Sequence, residues 1–146
     1  MEAQNVQKNK GIHWVLPKDD IPKNCDPVLA VIEGRKGLED LSDEYTIASH
    51  SNTGWMLEDL NLDDFKVLLW AGIPEYDPEN TGLWIPVEKR LPKTTNNVLV
   101  MFHGECNGFI YEKDPAVASY DEDGWKLKDV QMDSFEVLAW INILNW

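Results

Sequence analysis

The pattern of hydrophobic and polar positions occurs twice along this chain. Residues 14–76 align with residues 84–146 at a constant offset of 70, without a gap. Each copy has a tryptophan, an apolar run, a glycine-tryptophan pair and a second apolar run, in the same order. Self-similarity at a fixed period overrides the single domain that the length alone suggests. The sequence therefore predicts a flexible N-terminal arm at 1–11, a first repeat domain at 12–76, a linker at 77–83 and a second repeat domain at 84–146.

The apolar runs favour β-strands. VLAVI at 28–32 and VLVMF at 98–102 are short and rich in β-branched residues, which is typical of buried central strands. Over 45–59 and 115–129 the pattern predicts a strand, a glycine turn and a second strand, with Trp and Leu of the second strand on one face. This is a hairpin in each copy. The last apolar run of each copy predicts a final strand that closes the sheet.

The two copies differ most over one segment of equal length. In the first copy, Leu38, Leu41 and Tyr45 recur at spacings of three and four, which favours a short helix over 37–45. The second copy has Asn107-Gly108, which favours a tight hairpin turn. Short connections leave no room for parallel crossovers, so we expect about four antiparallel strands per copy. The expected fold is mainly β, or α+β with the helix: two tandem small antiparallel β domains packed as a pseudo-dimer.

Composition indicates a folded and strongly acidic protein. Hydrophobic residues make up 43% and charged residues 27%, as in ordinary globular domains. The net charge is −13, and acidic residues outnumber basic ones in both halves. Such a surface repels phosphate backbones and anionic membranes, so neither direct nucleic-acid binding nor membrane binding is expected. A basic protein partner is favoured, with solubility as the alternative reason for the acidity.

Apolar segments and cysteines indicate where the protein resides and whether it forms disulfides. No apolar run is long enough to cross a bilayer, and the start MEAQNVQKNKG carries no signal-peptide core. We therefore expect a cytoplasmic protein. Cys25 and Cys106 do not align between the copies and lie in no metal-ligand spacing, so neither a disulfide framework nor a zinc site is expected.

The order of motifs in the second copy resembles a known family. WIPVEKRLPK is followed by VLVMF, then by ASYDEDGWKL and a closing tryptophan. This resembles the small phage and bacterial family catalogued as domain of unknown function 551, and the resemblance covers nearly all of both copies. The first copy departs at the opening, where Asp20 replaces the family's arginine, and Leu69 and Ala139 replace the histidine before the closing tryptophan. The resemblance implies a bacteriophage or mobile-element origin, hence a bacterial host cytoplasm, and no particular activity.

Six tryptophans match between the copies: Trp14, Trp55, Trp70, Trp84, Trp125 and Trp140. One hypothesis is an aromatic pocket that stacks a nucleotide-like small molecule, with each stack contributing about 1 to 3 kcal/mol. Its candidate residues are Trp14, Trp55, Trp84 and Trp125. The alternative is that the tryptophans fill a thin core, each burying about 150 to 250 Å².

Acidic clusters are the second candidate binding feature. They comprise Glu39, Asp40, Asp43 and Glu44 in the first copy and Asp121, Glu122 and Asp123 in the second. Such clusters can imitate the phosphate spacing of nucleic acid and occupy a basic groove on a defence nuclease. The alternative is that they are solvated loop tips.

Motifs for catalysis are missing from the sequence. Aspartates recur near the last turn of each copy, at Asp59, Asp63, Asp129 and Asp133. They lack the D-x-D-x-D-G calcium pattern, and such residues commonly form turns. No histidine recurs between the copies, and no HExxH, GxSxG, phosphate-loop or dinucleotide motif is present. We expect no enzyme activity, no cofactor and no metal.

Three functions follow from the sequence. The leading hypothesis is a non-catalytic acidic phage or mobile-element protein that binds and inhibits a basic host protein, such as a nucleic-acid-handling defence system. The second is a module that sequesters a nucleotide-like small molecule in the aromatic pocket. The third is a structural or assembly accessory protein, for which a homo-oligomer is possible.

Overall fold

The chain forms two compact units of β-strands. This computed structural model describes residues 12–143. The first domain is His13–Ile73, and the second domain comprises, among the described residues, Ile12 and 74–143. The arm expected at 1–11 lies outside the described residues. Within the described range no helix is long and apolar enough to span a lipid bilayer.

Each domain is one antiparallel sheet. The first contains β1 (Val28–Lys36), β2 (Glu39–Ser51), β3 (Gly54–Leu57) and β4 (Asp64–Gly72), in the order β3-β2-β1-β4. The second contains β5 (Ile85–Pro86), β6 (Val98–Cys106), β7 (Phe109–Asp121), β8 (Gly124–Leu127) and β9 (Ser134–Asn142), in the order β5-β9-β6-β7-β8. All pairs are antiparallel, and residues 12–143 form no helix, so the mainly β fold is confirmed.

The repeat extends from the sequence to individual pairings. Strands β6 to β9 lie 70 residues after β1 to β4, and both sheets have the same strand order over these elements. Ile85 of β5 pairs with Trp140, and Val15 makes the equivalent isolated bridge with Trp70. Both copies therefore place the residue after their opening tryptophan beside the final strand.

The expected helix over 37–45 is wrong. Gly37 and Leu38 form a two-residue turn, and β2 begins at Glu39, which pairs with Lys36. Leu38 is fully exposed and buries nothing, which removes one of the three apolar positions of the helical pattern. Pairing of β2 along the whole of β1 outweighs this weak local periodicity, since side-chain packing across strands decides such segments. The α+β alternative is thereby excluded for the described residues.

The corresponding turn of the second domain agrees with its sequence. Asn107 and Gly108 have φ angles of 53° and 85° and connect Cys106 to Phe109. A two-residue hairpin turn of this kind requires positive φ at both central positions, which Asn and Gly tolerate. Both domains thus project a long hairpin, β1–β2 in the first domain and β6–β7 in the second.

The central strands carry the core, as predicted. All five residues of VLAVI in β1 and of VLVMF in β6 are buried. In the first domain, Ala30, Ile32, Ala48 and Val67 form the cluster on one face. The second domain has a larger cluster: Val98, Val100, Phe102, Ala116, Ala118, Val137 and Trp140. Burial of each large aliphatic or aromatic side chain contributes about 1.5 to 3 kcal/mol.

Candidate binding site

Two of the matched tryptophans fix the opening loop of each domain. The indole Nε1 of Trp70 donates a hydrogen bond to the carbonyl oxygen of Asp20 at 2.9 Å. Trp140 donates the equivalent bond to the carbonyl oxygen of Arg90 at 3.0 Å. Each bond tethers the final strand of its domain to the opening loop, and the bond of Trp140 is the more buried of the two.

The opening tryptophans, which were candidates for the aromatic pocket, lie in different environments. Trp84 is 2% exposed, donates to the carbonyl of Pro74 at 3.1 Å and meets the ring of Tyr76 edge to face. It therefore serves as core of the second domain and fixes the segment before it. Trp14 is half-buried and stacks on Tyr45, with ring centroids 6.2 Å apart. Burial, and then the nearby Asp43 carboxylate, raise the pKa of the Tyr45 hydroxyl.

The remaining pair, Trp55 and Trp125, lies beside the short hairpin turns. Trp125 opposes Tyr120 across β7 and β8, with ring centroids 5.1 Å apart and planes tilted by 59°. Trp55 opposes His50 in the first domain at 5.0 Å, edge to face. Both tryptophans are half-buried, so part of each ring stays accessible. Each domain holds two of the four candidate tryptophans, and in neither domain does the structure bring these two into one pocket.

Trp125 instead lines an open cleft of about 480 Å³ within the second domain. Aromatic walls come from Trp125 and Tyr120 on the β7–β8 hairpin and from Phe135 on β9. The full lining is Val87, Glu88, Leu91, Tyr120, Trp125, Phe135, Glu136 and Val137. Leu91 and Phe135 remain 38% and 36% exposed, so an apolar surface faces solvent here. A volume in this range accommodates a small molecule or one large side chain.

The charges of the cleft have one sign. Its two charged lining residues, Glu88 and Glu136, are both acidic and exposed. Lys126 follows Trp125 directly, but its ammonium is bound to the Asp121 carboxylate at 3.0 Å. Aromatic faces carry negative potential, and carboxylates add to it. The cleft is therefore suited to a cation and unsuited to a phosphate-bearing ligand.

The equivalent positions of the first domain have the opposite charge. Lys18 occupies the position of Glu88, and Lys66 that of Glu136. His50 replaces Tyr120, whereas the tryptophan and phenylalanine are kept as Trp55 and Phe65. The tryptophan and the phenylalanine are thus kept in both copies, while the charged residues at the equivalent positions differ in sign.

The acidic cluster of the first domain lies on the stem of the β1–β2 hairpin. Glu39, Asp40 and Asp43 are exposed, and Glu44 is partly exposed. Asp40 pairs with Arg35 at 3.1 Å, and both side chains are well exposed to solvent. Residues 39–46 lie beyond the reach of β3, which pairs only with 48–51 of β2. The carboxylates therefore follow an open sheet edge, where charge prevents association with other edges.

The acidic cluster of the second domain occupies the β7–β8 turn. Glu122 and Asp123 are exposed, and Asp121 accepts a hydrogen bond from the Asp123 amide at 2.8 Å. The hydrogen bond from Lys126, followed by that from Asp123, lowers the pKa of Asp121 below its ordinary value. The same pairing raises the pKa of Lys126. Part of this cluster is thus neutralised locally and supports the turn.

The recurring aspartates have structural partners. Asp63 accepts a hydrogen bond from the Gly37 amide at 2.8 Å, and Asp133 accepts one from the Asn107 amide at 3.0 Å. Each ties the tip of a long hairpin to the loop before the last strand. Asp129 pairs with Lys128 at 2.9 Å. These contacts favour the turn interpretation over an acid–base pair.

Metal ions in proteins are held mainly by His, Cys, Asp and Glu side chains. Within residues 12–143 no three of these side chains converge on a common point. His13 and His103 are exposed, and His50 packs on Trp55. Cys25 is exposed and Cys106 is partly exposed, and both are free thiols.

Two features were missed by sequence reasoning. The cleft draws on Glu88, Tyr120 and Phe135, none of which was a candidate, although Phe135 recurs as Phe65 and Tyr120 precedes a recognisable turn. The second feature is the apolar hairpin tip, where Phe109 and Ile110 are 71% and 65% exposed. A signal for the tip was present, because Phe109 and Ile110 directly follow the Asn107-Gly108 turn and so lie at the end of the long β6–β7 hairpin.

Comparisons with known proteins leave the chain without an assigned relative: no family model, no curated protein and no solved structure matches it. The resemblance to domain of unknown function 551 therefore stays a prediction.

Proposed function

We propose that this chain is a non-catalytic acidic protein that binds and inhibits a basic host protein, of the kind that handles nucleic acid in a defence system. The observation that carries the proposal is the placement of its carboxylates. Every Asp and Glu within residues 12–143 is at least partly exposed, and both domains present them on projecting strands or turns. A strongly negative surface attracts basic grooves over about a Debye length, roughly 8 Å at physiological salt.

The geometry supports binding rather than catalysis through the roles of the matched residues. Four of the residues that match between the copies each stabilise a loop or a hairpin: Trp70, Trp140, Asp63 and Asp133. The features left on the surface are carboxylates, an aromatic cleft and an apolar hairpin tip. These are the components of a protein-binding surface.

A nucleotide-sequestering module is less well supported. Its aromatic surface exists around Trp125, but the cleft there is lined by Glu88 and Glu136, which repel phosphate groups. The phage or mobile-element origin rests on the family resemblance alone. A structural or assembly role would not require the exposed carboxylates to have a complementary partner.

The test is capture of proteins from bacterial lysate on the tagged full chain, with washes at low and high salt and identification by mass spectrometry. A basic nucleic-acid-binding protein that is lost at high salt, and whose activity the purified chain inhibits, is the expected result. Capture of only the chain itself or of virion components would support the structural alternative and overturn the proposal.

A further inference from the structure

We propose that the cleft of the second domain binds an arginine side chain of the basic partner. This inference rests on the proposed function, since it assigns a specific contact to the partner that the acidic surface attracts. The first step is the shape of the site: Trp125, Tyr120 and Phe135 present three aromatic rings around about 480 Å³. Leu91 and Val87 complete a wall against which the aliphatic part of a long side chain can pack.

The second step is charge. Glu88 and Glu136 are the charged residues of the lining. Of the cationic residues next to lining residues in the sequence, Lys126 is bound by Asp121, and Lys89 and Arg90 are exposed and do not line the cleft. A cation over the face of Trp or Tyr gains about 0.5 to 2 kcal/mol, depending on its desolvation. Arginine fits better than lysine, because its planar guanidinium stacks on aromatic rings and can also bond a carboxylate in bidentate fashion. Glu88 is the carboxylate we assign to that bond.

The third step is the internal comparison that the repeat provides. The first domain keeps Trp55 and Phe65 but has Lys18, His50 and Lys66 where the second has Glu88, Tyr120 and Glu136. All four charged side chains are exposed, so packing within the fold does not dictate the sign of the charge at either position. A difference in ligand explains the reversal of charge: the second domain selects a cation, and the first domain repels one.

The experiment uses the full chain and a probe with a single arginine, the blocked tripeptide acetyl-Gly-Arg-Gly-amide. Two-dimensional NMR follows the indole N–H of Trp125, identified by its loss in Trp125→Phe. We expect a saturable shift of that resonance, and no such shift with the citrulline tripeptide, which keeps the shape but lacks the charge. Glu88→Lys installs the residue of the first domain and should weaken binding roughly fivefold, as expected for reversal of one exposed pairing charge.

The matched control is Glu79→Lys, which makes the same charge change at an exposed position of the second domain outside the cleft. It should leave the tripeptide affinity unchanged. Glu88 is exposed, so its variant is expected to fold even where replacement of Trp125 by alanine disturbs the core it packs against. An equal shift with citrulline, an equal loss in Glu79→Lys, or no shift at Trp125 would each overturn the proposal.

Lysate capture by Glu88→Lys separates this inference from the proposed function. If the wild-type chain captures a basic protein and Glu88→Lys captures it equally well, the arginine site is wrong and the proposed function stands. If the arginine tripeptide binds at Trp125 but no basic protein is captured, the site's chemistry stands and the proposed function fails.

Discussion

The indole of Trp140 donates a hydrogen bond of 3.0 Å to the carbonyl oxygen of Arg90, fifty positions earlier in the chain. Trp70 makes the equivalent bond to Asp20 at 2.9 Å, although Asp and Arg have nothing in common as side chains. The repeat preserved a bond to the main chain and left the side chain free to vary. This explains how strongly matched tryptophans can coexist with divergent surfaces.

Replacing Trp140 with phenylalanine should reduce the free energy of unfolding by about 2 kcal/mol, because the hydrogen bond and part of the buried volume are lost. Trp140 is only 3% exposed, whereas Trp70 is half-buried, so Trp70→Phe should cost less. Urea denaturation of the two variants measures the difference. Equal losses of unfolding free energy would show that the contribution of the tether does not depend on burial. No loss in either variant would show that the tether does not stabilise the fold.

Two glycines lie where a strand passes close to another segment. A Cβ on Gly34 would stand 2.6 Å from the carbonyl oxygen of Asp64 and 2.7 Å from Leu62 Cδ1. On Gly104 the nearest atom, the carbonyl oxygen of Ser134, would be 3.0 Å away. Gly34→Ala should therefore destabilise by about 1 to 3 kcal/mol, and Gly104→Ala by less.

Gly72→Ala is the control for these two substitutions. A Cβ on Gly72 meets nothing within 4 Å, and its φ is not in the left-handed region. This variant should keep its stability or gain about 0.5 kcal/mol through reduced freedom of the unfolded chain. A loss in Gly72→Ala comparable to that in Gly34→Ala would point to a general cost of strand substitutions rather than to the close approach.

The hairpin tether predicts a difference between two variants of one aspartate. Asp63 accepts the Gly37 amide hydrogen bond at 2.8 Å. Asp63→Ala removes the acceptor and should cost about 1 kcal/mol, whereas Asp63→Asn keeps a carbonyl acceptor and should cost less. Amide hydrogen exchange at Gly37 reports the bond directly. Exchange as slow in Asp63→Ala as in the wild-type chain would contradict the tether.

The Asp121–Lys126 pair predicts a specific pH dependence. Its hydrogen bonds lower the pKa of Asp121, so the pair stabilises the fold above the ordinary aspartate pKa, and this contribution is lost as pH falls through the lowered value. Lys126→Met, with the residue found at the equivalent position 56, should raise the Asp121 titration midpoint toward its ordinary value. The midpoint is measured by NMR titration of the side-chain carboxyl carbon.

Lys126→Arg is the matched control, since it retains a cationic donor and should keep the Asp121 midpoint low. At neutral pH the wild-type chain should be more stable than Lys126→Met, and the difference should disappear in strong acid. A stability difference that is unchanged at low pH would mean that Lys126 acts through packing of its stem.

Sequence patterns predicted the strands because their causes are local or repeated. The apolar runs of β1 and β6 are buried on both faces, and Asn107-Gly108 needs no distant partner to form its turn. The prediction of a helix over 37–45 was wrong because β2 pairs with β1 along that segment. The spacing of Leu38, Leu41 and Tyr45 carries no information about this pairing with another strand. Comparison with residues 107–115 of the other copy would have favoured the hairpin.

The cleft was harder to predict than the fold. Its walls come from β7, β8, β9 and the loop after β5, so the residues that meet there are separated by up to 50 positions along the chain. Trp125 was among the candidates for an aromatic pocket, but the sequence does not distinguish it from Trp84. Only the structure shows that Trp84 is buried and hydrogen-bonded to the carbonyl of Pro74. Matching between the copies identified structural residues, whereas the candidate ligand residues Glu88 and Glu136 are those that differ.

The most direct test of the central claim is the salt dependence of affinity between this chain and the basic protein that it captures. One variant carries amides at the acidic clusters, which are Glu39, Asp40, Asp43, Glu44, Asp121, Glu122 and Asp123. A control carries the same number of amides at exposed carboxylates elsewhere: Asp19, Asp26, Glu33, Glu75, Glu79, Glu105 and Glu112. We predict that the first variant binds at least tenfold more weakly at low salt with a flatter salt dependence, and that the control loses much less. Equal affinity of the first variant and the wild-type chain would contradict the account.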